Sequence, residues 1–271
     1  MEKIGIIAGR GLYPLLTARA AKRNGIKHLT IAAIRGDADP ALSQVANNLE
    51  WLYPGQIEKA IRLFKRDNVE NIIFAGQIKP TRLFTGLRPD FRALKLLAKL
   101  RFKNAESIFS AVASEFLKED ITVLPATKFL ENSLTADGVI GKIKPTKRQL
   151  LDIEFGKRIA TEVCKLDIGQ TVVVKNGVIL AVEAFEGTDE AIQRGGRLGK
   201  NGVIVVKISK PNQDMRFDVP CIGMRTVETL VAAKAKVIAL EAGRTLLFEK
   251  ETVISELNKA KIAVLGIRLG S

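Results

Sequence analysis

The sequence predicts an α/β protein of two domains: a Rossmann-like N-terminal domain around a parallel sheet, then a second α/β domain, with the ligand between them. Three observations carry this. Short apolar runs alternate with stretches of helical period through the first half of the chain. A turn-rich stretch over 132–145 (Asn132-Ser133, Asp137-Gly138, Gly141, Pro145) then interrupts the pattern. After it, strand-like and helix-like segments begin again. At 271 residues and 46% hydrophobic content the chain can bury one large core or two modest ones.

The elements follow in order. Lys3 to Ala8 (KIGIIA) reads as a buried strand, and Leu12 to Asn24 as a helix behind a Gly-rich turn. His28 to Ile34 is a second strand. Gln56 to Asp67 is helical, and Asn71 to Ala75 is a third strand ending at Gly76. Strands joined by helices imply parallel pairing. Asp90 to Arg101 and Glu106 to Lys118 carry apolar residues at helical spacing, and Ile121 to Leu124 is strand-like. The domains are therefore read as 1–131 and 146–271, with 132–145 as linker. In the second, Arg148 to Cys164 is helical. Thr171 to Val174 and Val178 to Glu183 flank Asn176-Gly177, the strongest hairpin signal in the chain. A helix over Asp189 to Leu198, a strand over Val203 to Ile208 and a helix over Thr226 to Lys234 come next. Strands at Val237 to Leu240 and Leu246 to Glu249, a helix over Glu251 to Ala260 and a strand at Ala263 to Gly266 complete the reading.

The net charge is +14, which draws anions: nucleic acid, an acidic membrane face or phosphorylated metabolites. Aromatics are only 6%, and no zinc-finger spacing or RNP-like string occurs, so nucleic acid is not expected as a partner. Two isolated cysteines, Cys164 and Cys221, fit a reduced cytoplasmic setting. The apolar run at the N-terminus is too short for a signal-peptide core, and no stretch is long enough to span a membrane.

Candidate sites lie at strand ends. Gly9-Arg10-Gly11-Leu12 opens a helix after the first strand, where glycines let backbone approach a phosphate and the helix supplies free N–H donors. The alternative there is a bare tight turn. A dinucleotide fingerprint is discounted: Pro14 replaces its third glycine, and the second strand ends Ile34-Arg35 without the ribose-binding acid. Gly76, Gln77, Lys79 and Arg82 leave the third strand, with a solvated loop as the alternative. The richest signal is acidic. Of only 29 acids, five (Glu183, Glu186, Asp189, Asp214, Asp218) fall in two short stretches. Thr188 and Asp189 suit a helix start, so capping accounts for part of the first. Glu183, facing a core, calls for a cation or a basic partner. Asp214 and Asp218 flank Arg216 in a stretch expected to be extended before Pro220 and to show one face; a salt bridge and a metal site are both open. His28, the one histidine, and Trp51 read as structural.

These stretches resemble the LpxI family, UDP-2,3-diacylglucosamine pyrophosphatases of lipid A biosynthesis. The resemblance runs through Ile4–Pro14 (IGIIAGRGLYP), Phe74–Pro80 (FAGQIKP), Gly141–Pro145 (GKIKP), Leu166–Val174 (LDIGQTVVV), Leu180–Asp189 (LAVEAFEGTD), Lys210–Pro220 (KPNQDMRFDVP) and Glu241–Arg244 (EAGR). It implies two α/β domains with a UDP-linked glycolipid between them, and Mg²⁺-dependent hydrolysis to UMP and 2,3-diacylglucosamine 1-phosphate. Through Phe217-Asp218-Val219-Pro220 it implies that Asp218 is the catalytic aspartate. On this footing Mg²⁺ is expected on Asp218 with Glu183 or Glu186. Substrate is expected on Gly9, Gly11, Leu12, Gly76, Gln77, Lys79, Gln170, Thr188 and Asp189. An enzyme of this kind is expected at the anionic cytoplasmic face of the inner membrane, peripherally attached; its assembly is left open, a homodimer included. The rival classes are an NAD(P)-dependent oxidoreductase and a basic nucleic-acid-binding module.

Overall fold

The structure, a computed structural model, describes residues 1–77, 87–100, 105–211 and 213–269. It divides into two compact units, Met1–Glu131 with Asp214–Asp218, and Asn132–Gln213 with Val219–Ser271.

The first unit holds β1 (Lys3–Ala8), α1 (Tyr13–Arg23), β2 (His28–Ile34), β3 (Asn48–Leu52), α2 (Ile57–Arg66), β4 (Asn71–Ala75), α3 (Phe91–Lys99), α4 (Ala105–Leu117) and β5 (Thr122–Val123). Its sheet is parallel throughout, in the order β3-β2-β1-β4-β5. That order gives the Rossmann-like half-sheet the apolar runs predicted, since strands buried on both faces read as unbroken hydrophobic stretches. Ile57, Ile61, Phe64, Ala93, Leu96 and Phe116 from α2, α3 and α4 cover one face. α1 packs on β1 and β4 with Ala18 and Ala21 fully buried. Asp90 sets the entry of two helices: one carboxylate oxygen accepts from the Ala93 amide at 2.9 Å and the other from the Glu58 amide at 2.6 Å. β3 is absent from the sequence reading, because its residues are mostly half-buried and lack an unbroken apolar run.

The second unit holds β6 (Gly138–Ile140), α5 (Lys147–Lys165), β7 (Thr171–Lys175), β8 (Val178–Val182), α6 (Thr188–Gly199), β9 (Ile204–Lys207), β10 (Cys221–Ile222), α7 (Met224–Ala232), β11 (Val237–Glu241), β12 (Leu246–Leu247), α8 (Lys250–Lys259) and β13 (Ala263–Ile267). The sheet order is β6-β13-β11-β9-β7-β8, with β9, β11 and β13 parallel and the outer strands antiparallel. α5 covers one face through Ile153, Ala160 and Cys164. α6, α7 and α8 cover the other through Ile192, Leu230 and Val253. The Asn176-Gly177 hairpin forms with φ of 51° and 76°, as a type I′ turn requires. Its two amides donate to the buried carboxylate of Asp152 at 2.8 and 2.7 Å. β6 lies in the stretch read as linker; paired with β13 alone, its three residues are too short to show a period.

Candidate active site

In the first unit the strand order reverses between β1 and β4, and ligand crevices form outside the carboxyl ends of strands at such a point. The loops leaving these strands are bonded to each other. Gly9 donates to the Ala75 carbonyl at 2.8 Å, Arg10 to Gln77 at 2.6 Å, and Gln77 back to Arg10 at 3.1 Å. A Cβ on Gly9 would lie 2.6 Å from the Gln77 oxygen, and one on Gly76 (φ +85°) 2.6 Å from the Arg10 oxygen. These two glycines thus let one backbone lie against another; the space at Gly9 is filled by protein. Gly11 differs: its φ is +97° and nothing lies within 4 Å of its missing side chain. Leu12 is exposed beside it, and the first turn of α1 has neither a side-chain cap nor an acid. Pro14 has no N–H and Leu16 donates to the Leu12 carbonyl at 3.0 Å, so what this helix start offers an anion is the positive end of its dipole beside the open Gly11. Lys79 and Arg82 lie outside the described residues.

Asp214–Asp218 belongs to this same unit. It is a turn rather than the extended segment expected: Phe217 and Asp218 both donate to the Asp214 carbonyl, at 3.0 and 3.1 Å. The reason is local. The Asp214 side chain accepts from the Arg216 amide at 3.0 Å and grips its guanidinium at 3.0, 3.1 and 2.7 Å, which winds the chain. Pro220 restricts only Val219 directly. Asp214 and Arg216 are accordingly a salt bridge, and the Arg216 guanidinium holds the Asp214 carboxyl below its ordinary pKa against the opposing effect of burial.

Phe217 anchors the turn. Its ring stacks on Phe109 with centroids 5.5 Å apart and meets Phe74 edge-on at 5.3 Å. Ala126 links the turn to the glycine loop: its amide donates to the Met215 carbonyl at 2.9 Å, and its carbonyl accepts from the Tyr13 hydroxyl at 2.6 Å. Phe74 is penultimate in β4 and Tyr13 opens α1. The anchor therefore brings Asp218 to the sheet end that carries Gly11, Leu12, Gly76 and Gln77. Asp218 is exposed, and no described residue bonds to its carboxylate.

In the second unit Glu183, just past β8, is 7% exposed, and Lys207, last in β9, is 3% exposed. Thr188 joins them: its hydroxyl donates to Glu183 Oε1 at 2.9 Å and accepts from Lys207 Nζ at 2.7 Å. The expected basic partner of Glu183 thus exists, one hydroxyl removed. Thr188 is not the helix cap; Gly187 takes that position with φ +89°. Glu183 Oε2 and Gln170 Oε1 are buried acceptors without a donor, and such atoms call for a water, a cation or a ligand N–H or O–H. Glu186 accepts from the Ala184 amide at 3.1 Å and from Arg194. Asp189 ties α6 to α7, accepting from Thr226 and pairing with Arg225, both at 2.9 Å.

Sequence reasoning missed Lys207, although a lysine between Val206 and Ile208 in a buried run was a readable sign. It also missed Ser209, Glu241 and Arg244 as a group. There Glu241 Oε2 accepts from the Ser209 amide at 2.6 Å and from its hydroxyl, which in turn accepts from Arg244 Nε at 2.7 Å. Cys164 is no nucleophile, because burial pushes its thiol up to about 11.

Among the described residues no three of His, Cys, Asp and Glu converge as a metal cage. Asp218 belongs to the first unit and Glu183 and Glu186 to the second. Mg²⁺ asks for less than a cage: one or two carboxylates, the rest of its shell coming from phosphate oxygens and water. Within the first unit the Asp218 carboxylate, unpartnered among the described residues, fits that demand by itself; within the second, Glu183 keeps one orphaned oxygen, and Glu186, already held by Arg194, fits less well.

Comparison with known proteins adds the following. A family model described as the LpxI N-terminal domain matches residues 3–133, and one described as the LpxI C-terminal domain matches 136–265. A protein of Caulobacter vibrioides, named UDP-2,3-diacylglucosamine pyrophosphatase LpxI, is 31% identical over 98% of this chain and 98% of its own. Among solved structures, the biotin carboxylase domain of Hydrogenobacter thermophilus 2-oxoglutarate carboxylase is 16% identical. That match covers 65% of this chain and 35% of the other, with a TM-score of 0.25, too low to bear on fold or function.

Proposed function

The chain belongs to the LpxI family, and from that premise we propose that it hydrolyses the pyrophosphate of UDP-2,3-diacylglucosamine. The products are UMP and 2,3-diacylglucosamine 1-phosphate, in lipid A biosynthesis. The observation that carries the reading is the end-to-end match to a protein named for this activity.

The chemistry is displacement at phosphorus. Water oxygen forms the new P–O bond, the bond to the bridging oxygen breaks, and the departing phosphate takes the electron pair. The backbone at open Gly11, at the positive end of the α1 dipole, receives a phosphate of the dianionic substrate. Gly76 and Gln77 hold that loop in place through the Arg10–Gln77 pairing. The Asp218 carboxylate, held by no neighbour, orients the attacking water and takes up its proton. Gln170 offers its unused oxygen to a substrate N–H or O–H. Thr188 and Lys207 fix the Glu183 carboxylate, and Asp189 keeps α6 in place beneath it. Mg²⁺, held by Asp218, would supply positive charge to a phosphoryl oxygen and a lowered pKa to bound water.

Peripheral attachment at the cytoplasmic face of the inner membrane follows from the substrate's acyl chains and the +14 charge. No described helix is long and apolar enough to cross a membrane. The test is product analysis by mass spectrometry after incubating purified full-length protein with micellar UDP-2,3-diacylglucosamine, with Mg²⁺ or with a chelator. UMP and the sugar-lipid phosphate are expected in the first case only. An absence of UMP contradicts the substrate, and equal rates with chelator contradict the metal.

A further inference from the structure

α3 is apolar on two sides. Ala93 and Leu96 are buried in the core of the first unit. On the far side Phe91 is 82% exposed and Leu94 52% exposed, with Ala98 following them in the exposed face. At the α-helical repeat these three fall within roughly 60° of the circumference. Phe91 is the most exposed large apolar side chain of this unit among the described residues. Single exposed apolar residues are ordinary; a row of them on one helix, opposite a face already buried, is not.

The unpaired charge beside this row is positive. Lys95 and Lys99 flank it, are exposed, and have no acidic partner among the described residues. The acids nearby are engaged elsewhere. Arg92, a quarter turn round the helix, binds Glu58 at 2.7 Å, Glu115 at 3.5 Å and Glu119 at 2.7 Å. Phe91, Lys95 and Lys99 line one surface depression with Lys118 and with Glu58, Asp90, Glu115 and Glu119, acids already bound by Arg92, Lys118 or helix amides. An apolar stripe edged by lysines is the pattern of a helix that lies in a membrane interface, apolar side down and ammonium groups among lipid phosphates.

We propose that this face of α3 docks the protein on an anionic lipid surface. The choice of lipid over a protein partner rests on the functional reading above, in which the substrate's acyl chains are held in a bilayer. A soluble partner would leave the unpaired lysines unexplained, whereas an anionic bilayer matches both the apolar row and its charged edge. The contact is modest in size, so binding is reversible and salt-sensitive.

Full-length wild type is compared with Phe91→Ser/Leu94→Ser and with Lys95→Gln/Lys99→Gln in vesicle flotation. One vesicle set is phosphatidylcholine alone; the other carries roughly a third phosphatidylglycerol. Wild type should float at least about tenfold better with the anionic vesicles, and each double variant should lose about tenfold or more, near fivefold per lysine. Turnover of micellar substrate should stay within about twofold in both variants, because neither pair touches the groups assigned to substrate. Variants that float like wild type overturn the proposal. So does a Phe91→Ser/Leu94→Ser protein that loses self-association but keeps vesicle binding, since a second copy would then cover this face. A wild type that floats as expected but releases no UMP from micelles contradicts the enzymatic reading alone.

Discussion

Asp214 and Asp218 sit one helical turn apart and do different work. Asp214 is bound on both oxygens by Arg216, whereas Asp218 has no partner among the described residues. Asp218→Ala should lower UMP release by about 10²–10⁴-fold with an unchanged melting temperature, since the side chain is exposed and supports nothing. Asp214→Ala should destabilise the turn by about 1 kcal/mol. The Asp214 pKa is lowered on folding, so its contribution is complete above the ordinary carboxylate range and is lost as pH falls through the lowered value. Thermal melts of wild type and Asp214→Ala should therefore converge at acid pH. Gly76→Ala meets the Arg10 oxygen and a positive φ together, and should cost roughly 2–4 kcal/mol in urea unfolding. At this scale the sequence was partly legible. The acids stand out by scarcity, but which one is free depends on an Asp214–Arg216 turn that pre-proline preference does not foretell. The glycine loops illustrate the converse: the residues were found, but Gly9 and Gly76 accommodate neighbouring backbone and only Gly11 is open.

Elements are tied by polar groups whose loss is predictable. Lys207, Thr188 and Glu183 link β9, α6 and the end of β8 in a buried line. Lys207→Met leaves the Glu183 carboxylate buried without positive charge, and should cost about 3–5 kcal/mol by urea denaturation. A wild-type-like midpoint would show that the line contributes little. In the first unit Arg92 gathers acids from α2, α4 and the turn after it. Glu119 is held down to about 2 by hydrogen bonds from Lys65 and then Arg92. A depressed carboxylate stabilises above its unfolded pKa and loses that effect as pH falls through the folded one, so this contribution fades from about 4.5 toward about 2. The melting temperature of Arg92→Met should fall less steeply over that window than that of wild type. Periodicity revealed the long elements. It missed β3, β6 and β10 because half-buried or two- and three-residue strands carry no period, their places being set by pairing with distant partners.

For the whole molecule, the alternation of apolar runs and helices is enough to reveal two α/β units, since parallel strands covered on both faces leave an unmistakable trace. It does not reveal that Asp214–Asp218 returns to the first unit. That placement depends on Phe217 finding Phe74 and Phe109, a contact between residues far apart in the chain. The return underlies the proposal that the Asp218 carboxylate, unpaired among the described residues and carried to the first sheet by an aromatic anchor, serves hydrolysis of a sugar-linked pyrophosphate. The most direct test is the initial rate of UMP release from UDP-2,3-diacylglucosamine by full-length wild type and Asp218→Asn, with matched circular dichroism melts. Turnover by wild type and a loss of about 10²-fold or more in the variant, at equal stability, are expected. Equal rates in the two proteins would contradict the proposal.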